Sequence, residues 1–435
     1  MNIYFSGIMG MGIGPLAILS AKVGHQIFGS DQKTSLMQKP LADVGATIQI
    51  GPQDGKFLTQ IAQTHSIDWF VHTSAVKKDH PELLAAQKLE LKITKRDTLI
   101  NQIITEKQLK LLAVAGTHGK TTTTSMLIWC FQQLGLPLAY LTGTTLSFAP
   151  PADCQPNSQF FVYETDEFDR NFLAFHPYLA LIPSVDYDHP DIYPTKADYD
   201  AAFAQFRSQS QTVLEGGEVN PQITLLGEHN RQNAALVYNA LMRLFNNTSH
   251  LSNNANFGDI KGGSATEVSI FGEKVIQALN TFPGAMRRFE QIAPNIYSDY
   301  AHHPKEIHAT LQLARERAAQ IAAETGQTPQ IIAIYEPHQN ARQQLVLHDY
   351  PWAFEQADQI LWLPTELSRE PEGTQPIPPE FFTEMLQKSG KAAKTATKNP
   401  KLLAQIHDLA QNNLVVLLSD TSLDPFVRQN LPKSA

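Results

Sequence analysis

The sequence predicts an α/β protein in which strands and helices alternate through three successive segments. Residues 111–126, Leu-Leu-Ala-Val-Ala-Gly-Thr-His-Gly-Lys-Thr-Thr-Thr-Thr-Ser-Met, run from an apolar strand through a glycine-bearing turn into a helix. The chain opens the same way: apolar Asn2–Ser6, the loop Gly7-Ile8-Met9-Gly10-Met11-Gly12-Ile13-Gly14, then a helix to Val23. Apolar runs recur at 160–163, 179–182, 296–297, 331–335, 360–363 and 414–418, with polar residues gathered at their ends.

The first segment, 1–105, continues with a strand over His25–Gly29 ending at Ser30-Asp31. Glycines at the first turn let a pyrophosphate approach the backbone, and an acid closes the second strand, as in a Rossmann-like domain. Such a turn also occurs in doubly wound folds that bind no nucleotide, so the motif alone leaves both readings open. A later strand, Trp69–Thr73, leads into Ser74-Ala75, and Pro81–Gln87 reads as a helix.

The second segment, 106–281, carries the most informative turn. Backbone N–H groups and the helix dipole at Gly116-Thr117-His118-Gly119-Lys120-Thr121 favour a polyphosphate. Lys120 is placed to reach outer phosphates and the Thr121 hydroxyl to meet Mg²⁺. The spacing departs from a strict P-loop, since Val114 stands where its first glycine belongs. A purely structural turn explains the glycines but not a lysine followed by four threonines. Strands 160–163 and 179–182 lead into Glu164-Thr165-Asp166-Glu167-Phe168-Asp169 and Asp186-Tyr187-Asp188-His189-Pro190-Asp191. One acidic loop is ordinary solvated surface. Two of them at strand ends behind a phosphate loop suit a metal site facing a triphosphate. Gly227-Glu228-His229-Asn230-Arg231-Gln232-Asn233 opens a helix running to about Phe245. Asn230 and Asn233 share a face there and can read an adenine edge, though Asn230 also serves as a plain helix cap. Residues 246–268, rich in Asn, Ser and Gly, read as a flexible insertion.

The third segment, 282–435, begins at Phe282-Pro283-Gly284 and holds Arg288, Asp299-Tyr300-Ala301-His302-His303-Pro304, a helix over 305–323, and Glu336-Pro337-His338-Gln339-Asn340-Ala341-Arg342. No internal repeat marks a solenoid.

Composition excludes several classes. The formal charge of −8 is spread along the chain and leaves no basic stripe for nucleic acid. The two cysteines, Cys130 and Cys154, have no metal-type spacing, so a reduced cytoplasmic protein is expected. The apolar N-terminus lacks a basic region and is broken by glycines, unlike a signal peptide, and no run of about 18 apolar residues marks a membrane span.

Assembled, these residues resemble the Mur ligase family, the ATP-dependent amide ligases of peptidoglycan precursor synthesis, over nearly the whole chain. The resemblance rests on Gly-Thr-His-Gly-Lys-Thr-Thr-Thr at 116–123, Asp-Tyr-Ala-His-His-Pro at 299–304, and Gly227-Glu228-His229-Asn230 through Asn233. It implies three domains: a Rossmann-like UDP-substrate domain (1–105), a P-loop-type central ATP domain (106–281) and a Rossmann-like amino-acid-binding, closing domain (282–435). Two family activities compete, joining L-alanine or joining a salvaged murein tripeptide to UDP-N-acetylmuramate. Thr73-Ser74-Ala75-Val76-Lys77-Lys78-Asp79-His80-Pro81-Glu82, the first glycine loop and Pro337-His338 with Arg342 look like the former, which is preferred. The two acidic loops, the second read as Tyr187-Asp188-His189-Pro190-Asp191-Ile192-Tyr193, are closer to the latter. Ser419-Asp420 helps neither reading.

The resemblance further implies residue roles. Gly7, Gly10 and Gly12 line the UDP site, with Ser30 and Asp31 near the uridine and Ser74 near its sugar or phosphates. Gly116, Thr117, His118, Gly119, Lys120, Thr121 and Thr122 hold ATP, with Asn230 and Asn233 at adenine. Thr121, Glu164 and His189 hold Mg²⁺. Arg288 and Asp299 close over the nucleotide, and His302, His303, His338 and Arg342 face the amino acid. Lys120, Glu164, His189, Arg288 and Asp299 form the catalytic set, with Asp299 holding or deprotonating the incoming ammonium. A monomer or weak homodimer, free of nucleic acid and membrane, is expected.

Three features depart from the pattern: Ser184 replaces an asparagine, Ser298 replaces an acid, and 193–227 is short for the central domain. They motivate a rival reading, a weakly active relic that binds UDP-sugar and ATP. A second rival, a dehydrogenase holding NAD on the first domain with Asp31 on the ribose, leaves the turn at 116–121 unexplained.

Overall fold

The structure is a computed structural model that describes residues 1–73, 76–189, 192–247, 265–367, 370 and 373–431. It has the α/β class expected, built on three sheets. Chain contacts divide it into two compact units, Met1–Ile223 with Gln232–Pro283, and Thr224–Arg231 with Gly284–Ala435.

The first unit holds two sheets. The leading sheet is wholly parallel: β1 (Asn2–Ser6), β2 (Gln26–Asp31), β3 (Thr47–Ile50), β4 (Trp69–His72) and β5 (Lys92–Lys95), in the order β3-β2-β1-β4-β5. The chain leaves β1 toward β2 and returns to its other side at β4. The loop after β1 therefore sits at the switch point where parallel sheets accept ligands.

The second sheet contains β6 (Lys110–Val114), β7 (Ala139–Leu141), β8 (Ala152–Cys154), β9 (Phe160–Glu164), β10 (Leu179–Ile182) and β11 (Val213–Glu215), ordered β11-β10-β6-β9-β7-β8. Only the short edge strand β8 runs antiparallel, against β7. Strands β6, β9 and β10 are apolar because helices cover both faces, and their residues from Leu111 to Ile182 are almost wholly buried. The helix after β6, Lys120–Gln133, buries Thr122, Thr123, Thr124 and Ser125, which accounts for the polar run at its start. The stretch read as short, 193–227, supplies one helix, Lys196–Gln209, and the single strand β11.

The second unit is built on β12 (Glu290–Ala293), β13 (Ile296–Asp299), β14 (Ile331–Tyr335), β15 (Gln359–Trp362), β16 (Ala392–Thr395) and β17 (Leu414–Leu418), ordered β12-β13-β17-β14-β15-β16. All pairs are parallel except β12 with β13. Strand β17 comes last in sequence yet lies between β13 and β14, so three polar loops leave the sheet side by side. An aromatic cluster under the sheet, with Trp362 stacked on Phe382 at 4.5 Å, fixes one face of β14 and β15.

Candidate active site

The phosphate-loop geometry follows from strand order. β6 is flanked by β9 and β10, so the loop 115–119 leaves the sheet between the acidic loop after Glu164 and the loop after Ile182. The fit is close. A Cβ on Gly116 (φ +146°) meets the Ser184 carbonyl oxygen at 2.6 Å, and one on Gly119 (φ +84°) meets Asn233 Oδ1 at 2.7 Å. Ser184, the departure from the family pattern, clamps the loop. Its carbonyl accepts from the Thr117 N–H at 3.0 Å and its hydroxyl accepts from the His118 N–H at 2.9 Å. The Thr117 hydroxyl donates to the Asp186 carbonyl and accepts from the Asp186 N–H, at 2.7 and 2.8 Å.

Lys120 lies across the loop mouth. Its ammonium donates to the Gly116 carbonyl at 2.6 Å and to both Glu167 oxygens at 2.9 and 2.7 Å. Burial works against this ammonium, but the carboxylates of Glu167, Asp166 and Glu164 outweigh it and push its pKa up. Burial also disfavours the Glu167 carboxylate, yet Lys120 and the His189 hydrogen bond hold its pKa below the usual range. The Thr121 hydroxyl donates to Glu164 Oε1 at 3.0 Å. The His189 ring stands 3.6 Å from Glu167, on a residue with φ +56°. The strands thus bring together Lys120, Thr121 and Glu164, and tie His189 in through Glu167. Glu167 received no separate role from the sequence. Its signal was one acid among the four of 164–169, which does not say which one faces the lysine. Thr122 is buried in the first turn of the helix.

Asn233 packs against Gly119, whereas Asn230, inside the helix Glu228–Asn247, turns back to donate to the Leu226 carbonyl at 2.9 Å, which is not a helix-capping bond. Among the described residues no group of three His, Cys, Asp or Glu side chains is arranged to hold a metal by itself.

In the leading sheet Gly7 (φ +78°) turns its N–H to the Ser30 carbonyl at 2.9 Å, and the Asp31 carboxylate accepts from the Met9 N–H at 2.9 Å. Gly10 closes a turn onto the Gly7 carbonyl at 3.0 Å, and a Cβ on Gly12 meets Arg96 Nη1 at 3.3 Å. The Ser30 side chain is buried and donates to Glu82, which also accepts from Tyr4 and Ser6 at 2.6 Å each. Ser74 lies outside the described residues.

In the second unit Asp299 is buried with both oxygens on main-chain donors, Phe289 N at 2.7 Å and Ala301 N at 2.8 Å. Burial, opposed by Arg288 and those amides, raises its pKa to about 6. Arg288 lies 5.4 Å from the Tyr300 ring centroid. His303 caps the helix Pro304–Thr325 in a capping box with Glu306. Ser298 donates to Asp424 at 2.6 Å, so Asp424 supplies a carboxylate beside the missing acid. His338 Nδ1 lies 2.7 Å from Asp420, and His302 Nδ1 lies 3.9 Å from it. The sequence left Asp420 without a role; pairing of β14 with β17 brings it to His338.

The fold is α/β, and the loop after β6, a glycine turn leading into the helix that begins at Lys120, has the form of a phosphate-binding turn. The comparisons sharpen this. Residues 2–108 match the model of the Mur ligase family catalytic domain, and 114–214 that of the Mur ligase middle domain. A UDP-N-acetylmuramate–L-alanine ligase of Thermosynechococcus vestitus is 30% identical over 401 residues, 85% of this chain and 82% of that protein. One of Desulforamulus reducens is 29% identical over 83% of this chain and 82% of that protein. The crystal structure of a UDP-N-acetylmuramate–alanine ligase from Thermotoga maritima aligns with TM-score 0.74 at 22% identity, covering 99% of this chain and 98% of that one. A murein peptide ligase from Psychrobacter arcticus aligns over 99% and 98% with TM-score 0.58 and 20% identity. The chain belongs to the Mur ligase family of ATP-dependent amide ligases. Among the described residues no helix is long and apolar enough to cross a membrane.

Proposed function

We propose that this ligase joins L-alanine to UDP-N-acetylmuramate in the cytoplasm, through an acyl phosphate, during peptidoglycan precursor synthesis. The observation that carries the reading is Lys120 held across the loop after β6 by Glu167, beside the Thr121–Glu164 pair. The muramate carboxylate attacks the γ-phosphorus of ATP, ADP leaves, and the amine then displaces phosphate from the acyl carbon. Two anions meet in the first step. Lys120 neutralises charge there once the γ-phosphate competes with Glu167 for its ammonium. Arg288 is proposed for the same role.

Thr121 and Glu164 are hard oxygen donors already 3.0 Å apart, which suits Mg²⁺, and His189 is the third group of the proposed set. Magnesium bound there supplies charge neutralisation between phosphate and carboxylate. Asn233, packed on the phosphate loop, and Asn230 form the adenine side. Gly7, Gly10, Gly12, Ser30 and Asp31 form the UDP side. His302, His303, His338 and Arg342 form the amino-acid side.

Sequence likeness to alanine ligases over most of both chains favours L-alanine above a murein tripeptide. The test is a substrate panel. With UDP-N-acetylmuramate, ATP and Mg²⁺, phosphate release is expected to be fastest with L-alanine, against glycine, L-serine and a tripeptide. Faster release with the tripeptide overturns the choice of substrate, and none with any amine overturns the ligation itself.

A further inference from the structure

The amide-forming step needs a base, because an amino acid arrives as an ammonium and only its neutral amine attacks. Asp299 is poorly placed for this, with both oxygens engaged by main-chain N–H groups. The carboxyl ends of β13, β17 and β14 offer another arrangement. β17 ends at Ser419-Asp420, and the Asp420 side chain is only 7% exposed. Its Oδ2 lies 2.7 Å from His338 Nδ1, in the loop after β14. Its Oδ1 is buried and has no hydrogen-bond partner among the described residues. Burial opposes the Asp420 charge, but the His338 hydrogen bond, with His302 and Arg342 nearby, outweighs it and lowers its pKa. An ionised carboxylate only accepts, so the ring must donate its Nδ1–H, which makes Nε2 its basic nitrogen.

The loop carrying Asp420 is itself fixed from below. Glu336 is fully buried and accepts from the Ser419 and Thr421 hydroxyls at 2.7 Å each and from the Ser422 and Leu423 N–H groups at 3.0 and 2.7 Å. Lys398 donates to the same carboxylate. A buried carboxylate oxygen left without a donor costs about 1–3 kcal/mol, which a fold of this precision around it does not relieve. Protonation of His338 at Nε2 brings no donor to Oδ1, but the positive charge it creates favours the ionised carboxylate.

We propose that His338 takes the proton from the incoming amine and that Asp420 is its positioning residue, a role in the ligation reaction that this chain builds from a loop the family resemblance left unassigned. The proposal rests on the ligase reading above. The ammonium gives one proton to His338 Nε2. The amine nitrogen then attacks the acyl carbon, the C–O bond to phosphate breaks, and phosphate leaves with that electron pair and the second N–H proton. The other groups facing the pair are His302 and Glu306 at the start of the helix Pro304–Thr325, Tyr300 and Arg287 from the loops around β13, Tyr335 from β14, and Arg342 from the helix Asn340–Leu345.

The test compares two amines on the same enzyme with UDP-N-acetylmuramate, ATP and Mg²⁺. L-Alanine needs the base. Hydroxylamine, neutral at pH 7, does not, and it captures the acyl phosphate as a hydroxamate. Asp420→Asn is expected to slow alanine ligation about 100-fold and hydroxamate formation by less than about 5-fold. Its alanine rate should rise with pH up to the amine's own pKa, whereas the wild type levels off sooner. Asp420→Glu should recover part of the alanine rate. Equal losses with both amines, or none with either, overturn the proposal. Should Asp420→Asn fail to fold, His338→Gln carries the same comparison with the same expected split. A wild type that yields no hydroxamate contradicts the ligase reading instead.

Discussion

The carboxyl ends of β6, β9 and β10 and those of β13, β17 and β14 use one architecture and treat charge in opposite ways. In each, a strand sits between two parallel neighbours and three loops converge. At the first, the buried cation and anion are matched: Lys120 meets Glu167 through two hydrogen bonds, and Thr121 meets Glu164. At the second, Asp420 is ionised between histidines with one oxygen unmatched. A site that receives a polyphosphate rests with its lysine held by an internal carboxylate that the ligand must replace. A site that moves a proton keeps an ionised carboxylate beside the ring on which the charge appears.

The largest expected effect breaks the first region. Lys120→Ala is expected to lower turnover about 1000-fold. It also leaves a buried Glu167 without its cation, so the chain should lose roughly 3–5 kcal/mol of stability in urea unfolding. Glu167→Gln added to Lys120→Ala should return most of the stability and none of the turnover. Loss of turnover with no loss of stability would show that the pair is not buried together.

The second prediction sharpens the contrast through pH. The folded pKa of Asp299 is raised to about 6 from its ordinary 3.8, so the folded state holds that proton more tightly than the unfolded chain. Its contribution is complete below about pH 4 and is lost as pH rises through about 6, a decline of roughly 3 kcal/mol. Glu167 has the opposite sign: its depressed pKa stabilises above the usual carboxylate range and is lost as pH falls through the folded value. Urea midpoints from pH 4 to 7 should therefore show a decline in the wild type that Asp299→Asn lacks. An equal slope in both removes Asp299 as its source.

Smaller effects follow at the two serines that replace family residues. Ser184→Ala removes the hydroxyl clamp on His118 N–H and should raise the KM for ATP about 5- to 10-fold, from roughly 1 kcal/mol of lost loop order. Ser298→Ala removes a hydrogen bond to Asp424 and should cost about 1 kcal/mol of stability while turnover changes less than about 2-fold. A large activity loss at Ser298 with unchanged ATP affinity at Ser184 would reverse the contrast drawn between the two positions.

The strands that center each sheet were legible in the sequence because both faces are buried and their apolar runs are continuous. β1, β10, β14 and β17 fall on the residues expected. Others were not: the edge strands β3, β5 and β16 have no fully buried face, and β7, β8 and β11 are three residues long, too short for a pattern. The glycine loops, Lys120, Thr121 and Glu164 were legible because phosphate chemistry restricts residue type and spacing. Which acid meets Lys120 was not. It depends on the irregular turn Phe168–Ala174, where Asp169 and Arg170 take left-handed backbone, and on the Tyr193 hydroxyl donating to the Glu167 carbonyl at 2.6 Å. Asp420 and His338 are far apart in sequence, and only the insertion of the last strand beside β14 joins them. Of the residues expected at the amino-acid side, His303 shows a second use, as a helix cap.

The central claim is that the loop after β6 transfers the terminal phosphoryl of ATP to a sugar-borne carboxylate through Lys120. It is tested most directly by following amide product by mass spectrometry in the folded double variant Lys120→Ala/Glu167→Gln, supplied with UDP-N-acetylmuramate, L-alanine, ATP and Mg²⁺. The account predicts product from the wild type and at least about 1000-fold less from the variant. Turnover within about 10-fold of wild type in a stably folded variant would contradict it.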